Sequence, residues 1–195
     1  PKHFTFSNFT MVWDTLNFSD AFKNSTIIAL GSTILQIVVC ALTGYGFARF
    51  KFKGSGILFL VAIFTVMIPA QMINLPNYLL FYDFDIFGIL GLIFGDSFQI
   101  NMIDSYASVL LLAAFGVGLR SGLFILIFSQ FFKGIPNELE EAAMIDGCGY
   151  FKTFLNIMVP NAEGPIVTTF LFSMVWYWND YYTMTTYFLK TRTVS

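Results

Sequence analysis

The sequence predicts an all-α fold, a polytopic transmembrane helical bundle, and three observations predict it. Of its 195 residues 56% are hydrophobic and only 11% charged, against about 25% charged in soluble domains, so too few charges are present to face water. Four stretches, about 25–48, 56–75, 107–132 and 165–187, reach the roughly 20 apolar residues that a bilayer crossing needs. Within them stand Gly44, Gly46, Pro69, Gly116 and Gly118, which weaken a helix in water but are tolerated in membrane helices. The 25 Phe suit lipid-facing helices and interfaces. A net charge of −2 supplies no basic surface for nucleic acid.

The remaining composition narrows the chemistry. Cys40 and Cys148 lie far apart and neither forms a CxxC pair, so a disulfide framework and a zinc site are both unsupported. His3 is the single histidine and sits in the polar start of the chain, without the ligand set that structural zinc requires. The chain opens at Pro1 without a signal-peptide pattern and is expected to be a piece of something longer. The apolar run 86–94 is too short to span and is expected to be interfacial or buried on the outer side.

Orientation follows from lysine and arginine placement. The turn after the first stretch carries Arg49, Lys51 and Lys53 and no acid, whereas the loop 74–106 carries Asp83, Asp85, Asp96 and Asp104 and no base. The first is expected to be cytoplasmic and the second outside. By parity the loop 133–164, with Lys133 and Lys152, is cytoplasmic and both chain ends lie outside.

That loop of about thirty residues is patterned rather than a plain connector. The run 135–147 is predicted to be one short helix: Pro136 suits the first turn, Glu138, Glu140 and Glu141 oppose the N-terminal dipole, and Gly147 is a C′ stop. Leu139, Ala142, Ala143 and Asp146 recur at helical spacing and are expected to share a face. A second helix is expected over 150–158, ended by Pro160. The hairpin could rest on the bilayer, but surface-lying helices favour Lys and Arg and the first of these is acidic, which favours a protein partner.

Here a resemblance becomes specific. Glu141-Ala142-Ala143, three residues, Gly147, nine residues, then Ile157-Met158-Val159-Pro160 is similar to the EAA signature of binding-protein-dependent ABC importer permeases, with Val159 where that family prefers Leu. Asn24-Ser25, Tyr45-Gly46-Phe47-Ala48-Arg49, the run Gln130 to Pro136, and Trp176-Tyr177-Trp178-Asn179-Asp180 resemble the maltose-type, carbohydrate branch. The resemblance implies six spans in the full-length chain, of which the second to fifth are present here. It implies a multi-pass protein of the bacterial inner membrane that moves a sugar inward by alternating access. The implied partners are cytoplasmic ATPase subunits, a second permease subunit, an extracytoplasmic solute-binding protein and membrane lipid. Glu141, Ala142, Ala143, Asp146, Gly147 and Pro160 are the implied ATPase-coupling residues. No cofactor is implied for this chain: ATP is used by the partner, and no GxxxxGK[ST] occurs.

Inside the membrane three polar residues are candidates for a substrate pathway: Arg120, Asn179 and Asp180. A mid-span Arg costs at least about 2.5 kcal/mol by insertion scales, so it should face protein or water. It could line the pathway, pair with Asp180, or satisfy carbonyls structurally. Trp176 and Trp178 beside Asn179 and Asp180 would suit a polyol, and they equally suit interfacial anchoring. Gly118 and Gly122 form a small-xxx-small pair. Rival classes are weaker: an intramembrane enzyme would show HExxH, GxSxG or a second histidine, none of which is present, and no channel filter motif is evident. A permease for another small polar solute, such as a glycerol phosphate, is the alternative within transport.

Overall fold

A computed structural model describes residues 6–84 and 100–188. Among these the architecture is helical, with one isolated bridge, Phe84–Ile100. His3 and the expected short segment 86–94 lie outside the described residues.

The chain begins with α1 (Ser7–Thr15), an unexpected short helix that buries none of its residues. Asn17, in the left-handed conformation, separates it from α2 (Phe18–Arg49). This helix starts seven residues earlier than the expected span 25–48. At about 1.5 Å per residue it is long enough to cross the hydrocarbon core and project beyond it. Its inner face buries Ile28, Ala29, Ser32, Thr33, Gln36, Cys40, Gly44 and Tyr45. Its outer face is apolar too: Ile27, Leu30, Ile34, Val38 and Leu42 are exposed. A helix apolar all round is stable only where lipid or another subunit covers it.

Every other expected span is interrupted. The second, about 56–75, becomes α3 (Ser55–Phe64), a 3-10 turn (Thr65–Met67) and α4 (Ala70–Tyr82), with a bend of 104° between the two halves. The break falls at Pro69, which cannot supply the N–H that a continuous helix needs there. The third, about 107–132, splits into α5 (Tyr106–Ala114) and α6 (Ser121–Gly134). Gly116 and Arg120 take positive φ between them, at +70° and +53°. The fourth, about 165–187, consists of α10 (Glu163–Trp178) and α11 (Tyr181–Tyr187), parted at Asn179 and Asp180. Among the described residues α2 alone is long and apolar enough to cross a bilayer unbroken, and α3 with α4 pass that test only as a bent pair.

Between α6 and α10 lie α7 (Glu138–Ile145), α8 (Tyr150–Thr153), a π-helical turn (Phe154–Met158) and α9 (Val159–Asn161). Pro160 does not end the second helix as expected: it sits in the first turn of α9. The π-helical turn has already interrupted the i→i−4 ladder, so the missing N–H breaks no regular bond.

The core is two apolar clusters strung along α2. One gathers Ile28 and Ala29 with Phe81, Val109, Ala113 and Tyr187. The other gathers Cys40, Ala41 and Tyr45 with Phe124, Phe128, Phe132, Phe154 and Met158. Between them α2 presents a wholly buried polar layer, Ser32, Thr33 and Gln36. Gly44 lets α6 approach closely: an added Cβ would stand 2.6 Å from Phe128 Cβ.

Candidate functional site

Two places concentrate the polar chemistry of this apolar chain. The first is α7. Its C-terminus is a Schellman closure: Cys148 N–H donates to the Ala143 carbonyl at 2.9 Å and Gly147 N–H to the Met144 carbonyl at 3.0 Å. Gly147 has φ +82°, the left-handed geometry this motif demands and a side chain resists. The stop expected at Gly147 therefore has a geometric basis.

The face of α7 differs from the one expected. Ala143 is buried inside the chain together with Glu140, while Leu139, Ala142, Ile145 and Asp146 are exposed. Ala143 cannot share an outward face with Ala142, because Arg49 turns the helix. From the last residue of α2, Arg49 donates Nε–H to Glu140 Oε1 at 2.7 Å and reaches Asn137 Oδ1 at 2.5 Å and the Ile135 carbonyl at 2.7 Å. The Arg49 and Glu140 side chains are about nine-tenths buried, where a charged pair holds only if its remaining hydrogen bonds are also satisfied. Aromatic rings back the clamp, Tyr45 against Phe132 and Phe154, and Phe50 against Tyr150. The outward surface is then three acids, Glu138, Glu141 and Asp146, around Leu139, Ala142 and Ile145, of which Ile145 is 86% exposed. Pro160 is exposed on α9.

The second place is a cleft of about 450 Å³ on which all three helix breaks converge. Ile68 and Pro69 come from the first break, Gly118 to Ser121 from the second, and Asp180 from the third. The α4 wall adds Gln71, Asn74 and Asn77, spaced three apart and so on one helix face. Released backbone groups in an apolar chain must find internal partners. Gln36 provides them at the second break: its Nε2 donates to the Leu119 carbonyl at 2.7 Å and to Ser121 Oγ at 2.9 Å. Its Oε1 accepts from Ser173 Oγ at 2.6 Å, tying α10 into the same node. Gln36 is the one amide within 25–48. Its rarity in an apolar stretch was the signal that could have marked it.

The expected pathway residues separate. Arg120 lines the cleft, yet it makes no ion pair with Asp180: its guanidinium lies over the Trp176 ring, 4.8 Å from the centroid. Asp180 lines the cleft too and spends Oδ1 on the Thr183 N–H at the start of α11. Its Oδ2 is buried without a hydrogen-bond partner among the described residues. Asn179 is not on the cleft. It donates to the Val175 carbonyl at 2.7 Å and faces a second hollow with Phe22 and Trp178. Neither Trp176 nor Trp178 lines the main cleft: Trp176 packs on Phe124 and Phe172, and Trp178 on Phe22. Gly118 and Gly122 do not form one stripe, because Gly118 lies in the break. A Cβ on Gly118 would overlap the Tyr177 hydroxyl, and one on Gly122 the Ala62 carbonyl.

The chain is similar to known proteins along most of its length. The chain is 29% identical over 181 residues to a probable starch degradation products transport system permease protein, AmyC, of Thermoanaerobacterium thermosulfurigenes, covering 93% of this chain and 59% of the relative. It is 28% identical over 181 residues to the diacetylchitobiose uptake system permease protein NgcG of Streptomyces coelicolor, covering 93% and 54%. The arabinooligosaccharides transport system permease protein AraQ of Bacillus subtilis matches at 28% over 182 residues, covering 93% and 57%. The chain thus spans less than two thirds of the length of these relatives. The fold matches a chain in the crystal structure of a bacterial ABC transporter involved in the import of the acidic polysaccharide alginate, with a TM-score of 0.75 at 20% identity, over 100% of this chain and 61% of that one. Residues 36–195 fit the model of the binding-protein-dependent transport system inner membrane component, and with most of the chain inside that match, this protein belongs to that family.

Proposed function

We propose that the full-length protein is a multi-pass permease subunit of an ATP-driven importer and moves a sugar or oligosaccharide inward by alternating access. The observation that carries this reading is α7: an acidic helix clamped from within by Arg49, closed at Gly147, and presenting Leu139, Ala142 and Ile145 outward. Exposed apolar side chains ringed by acids fit a groove on a cytoplasmic ATPase subunit better than an anionic lipid surface. ATP is hydrolysed by that partner. The permease transmits displacement, with Glu141, Ala142, Asp146 and Gly147 at the contact and Ala143 seating the helix on the bundle. Pro160 belongs to the same coupling hairpin.

The cleft supports the transport half of the reading. Transporter sites are commonly built where helices are discontinuous near the middle of the membrane, and three breaks meet here. Amides from α4, the free Asp180 oxygen and Arg120 offer both acceptors and donors to a hydroxyl-rich solute. The names of the relatives, which concern starch products, diacetylchitobiose and arabino-oligosaccharides, favour a sugar over a glycerol phosphate. A second permease subunit and an external solute-binding protein complete the proposed assembly, and lipid or the second permease covers the apolar outer face of α2. Affinity purification of the tagged full-length protein tests this: an ATPase subunit and a second permease should accompany it. Recovery of the intact protein alone would overturn the proposal.

A further inference from the structure

Two polar nodes, far apart in space, sit on one helix. At its end α2 holds the docking helix through Arg49, and midway it holds the cleft wall through Gln36. Thirteen residues separate the two, about 20 Å along a straight helix. Both side chains are buried, and each fastens elements that are remote in sequence: Arg49 holds Ile135, Asn137 and Glu140, and Gln36 holds Leu119, Ser121 and Ser173. Nothing interrupts α2 between them, whereas α6 and α10, the helices that Gln36 fastens, each end at a break.

We infer that α2 is a rigid lever that carries displacement of α7 to the cleft, with Arg49 and Gln36 as its two positioning residues. This rests on the importer reading above. The attachment at Arg49 is three-pronged, one bond to Glu140 within α7 and two to Asn137 and Ile135 just before it, which restrains pivoting at the start of the helix more than a single bond would. The attachment at Gln36 reaches the backbone of the unwound segment, whose left-handed Arg120 and flanking Gly118 line the cleft. Moving Gln36 along the bundle axis drags the Leu119 carbonyl, and with it the wall that carries Arg120. The competing route is covalent, straight from α7 into α6 through 135–137, and it needs neither side chain.

The test uses the full-length protein assembled with its ATPase partners, with Cys148→Ala to remove the half-buried thiol and Gln71→Cys as a reporter on the cleft wall. Maleimide labelling of Gln71→Cys is timed with and without ATP plus vanadate. The parent should change its labelling rate about tenfold on adding nucleotide. An unchanged parent, or one that brings down no ATPase, overturns the importer reading itself. Given a responsive parent, Arg49→Gln and Gln36→Leu should each reduce the change to less than about twofold while ATP hydrolysis continues. Because the nodes act in series, the double variant should be no worse than either single. Single variants that respond like the parent, or effects that multiply in the double, overturn the lever. Arg49→Gln leaves Glu140 charged and buried, so Arg49→Gln with Glu140→Gln is the companion. It should assemble and stay unresponsive. A normal response in that pair, or loss of the assembled complex, would assign Arg49 a purely structural role and sink the inference.

Discussion

Gly44 and Gly46 lie two residues apart in α2, and replacing each with alanine should have unequal effects. Both are interior to an uninterrupted helix, so each gains the same propensity from alanine, about 0.8–1 kcal/mol. Their surroundings differ. At Gly46 an added Cβ meets nothing within 4 Å. At Gly44 it would stand 2.6 Å from Phe128 Cβ, 3.0 Å from the Ser129 nitrogen and 3.2 Å from the Ile125 carbonyl oxygen. Two of those three atoms are backbone, so α6 itself must retreat, and overpacking of this kind costs about 1–3 kcal/mol. Gly46→Ala should therefore stabilise by about 1 kcal/mol. Gly44→Ala should come out near neutral to about 2 kcal/mol destabilising, leaving about 1–3 kcal/mol between the two. The assay is equilibrium unfolding of the isolated full-length subunit in mixed micelles, with SDS as denaturant and circular dichroism as the signal. Equal midpoints, or Gly44→Ala the more stable, would refute the packing of α2 against α6 described above.

Gly147 offers a partner-specific contrast. Its φ of +82° makes most L side chains cost about 1–2 kcal/mol, and among the described residues no atom beyond its chain neighbours lies within 4 Å of the new Cβ. Alanine and aspartate should thus both lower the stability of the isolated subunit, aspartate no more than alanine, because its short polar side chain tolerates the left-handed conformation better. Only Gly147→Asp should also cut ATPase recovery in a pull-down by more than tenfold, and normal transport by that variant would count against docking at α7. Cys148 reports sidedness: in intact cells a membrane-impermeant thiol reagent should leave it unlabelled and label it after lysis, relative to a Cys148→Ala control. Cys40, fully buried, should react in neither case. Labelling of Cys148 before lysis would place the α7 hairpin outside and dismantle the importer scheme.

How far the structure was legible depends on how local each feature is. The helical class, the apolar stretches and the stop at Gly147 could be read directly, since each follows from composition, periodicity or a single residue's backbone preference. The signature from Glu141 to Pro160 was legible for the same reason, being one contiguous run with fixed spacing. Pro69 and Gly116 are visible too, but from composition they read as tolerated within spans. They are the points where the spans break.

Whether an apolar stretch stays helical or opens is not written in its own residues. Opening frees backbone groups that a low-dielectric surrounding punishes unless something distant satisfies them. At the second break that something is Gln36, 83 positions away from Leu119. Likewise α7 turned Ala143 inward and Ala142 outward because Arg49, 91 positions from Glu140, claims one side of it. The convergence of three breaks on one cleft, and the separation of Asn179 from Asp180, are of the same kind. Sequence alone determined that this protein is a helical membrane component carrying the Glu141–Pro160 pattern. Tertiary structure decided where its helices break and which way they face, because those choices are made by partners that only folding brings together.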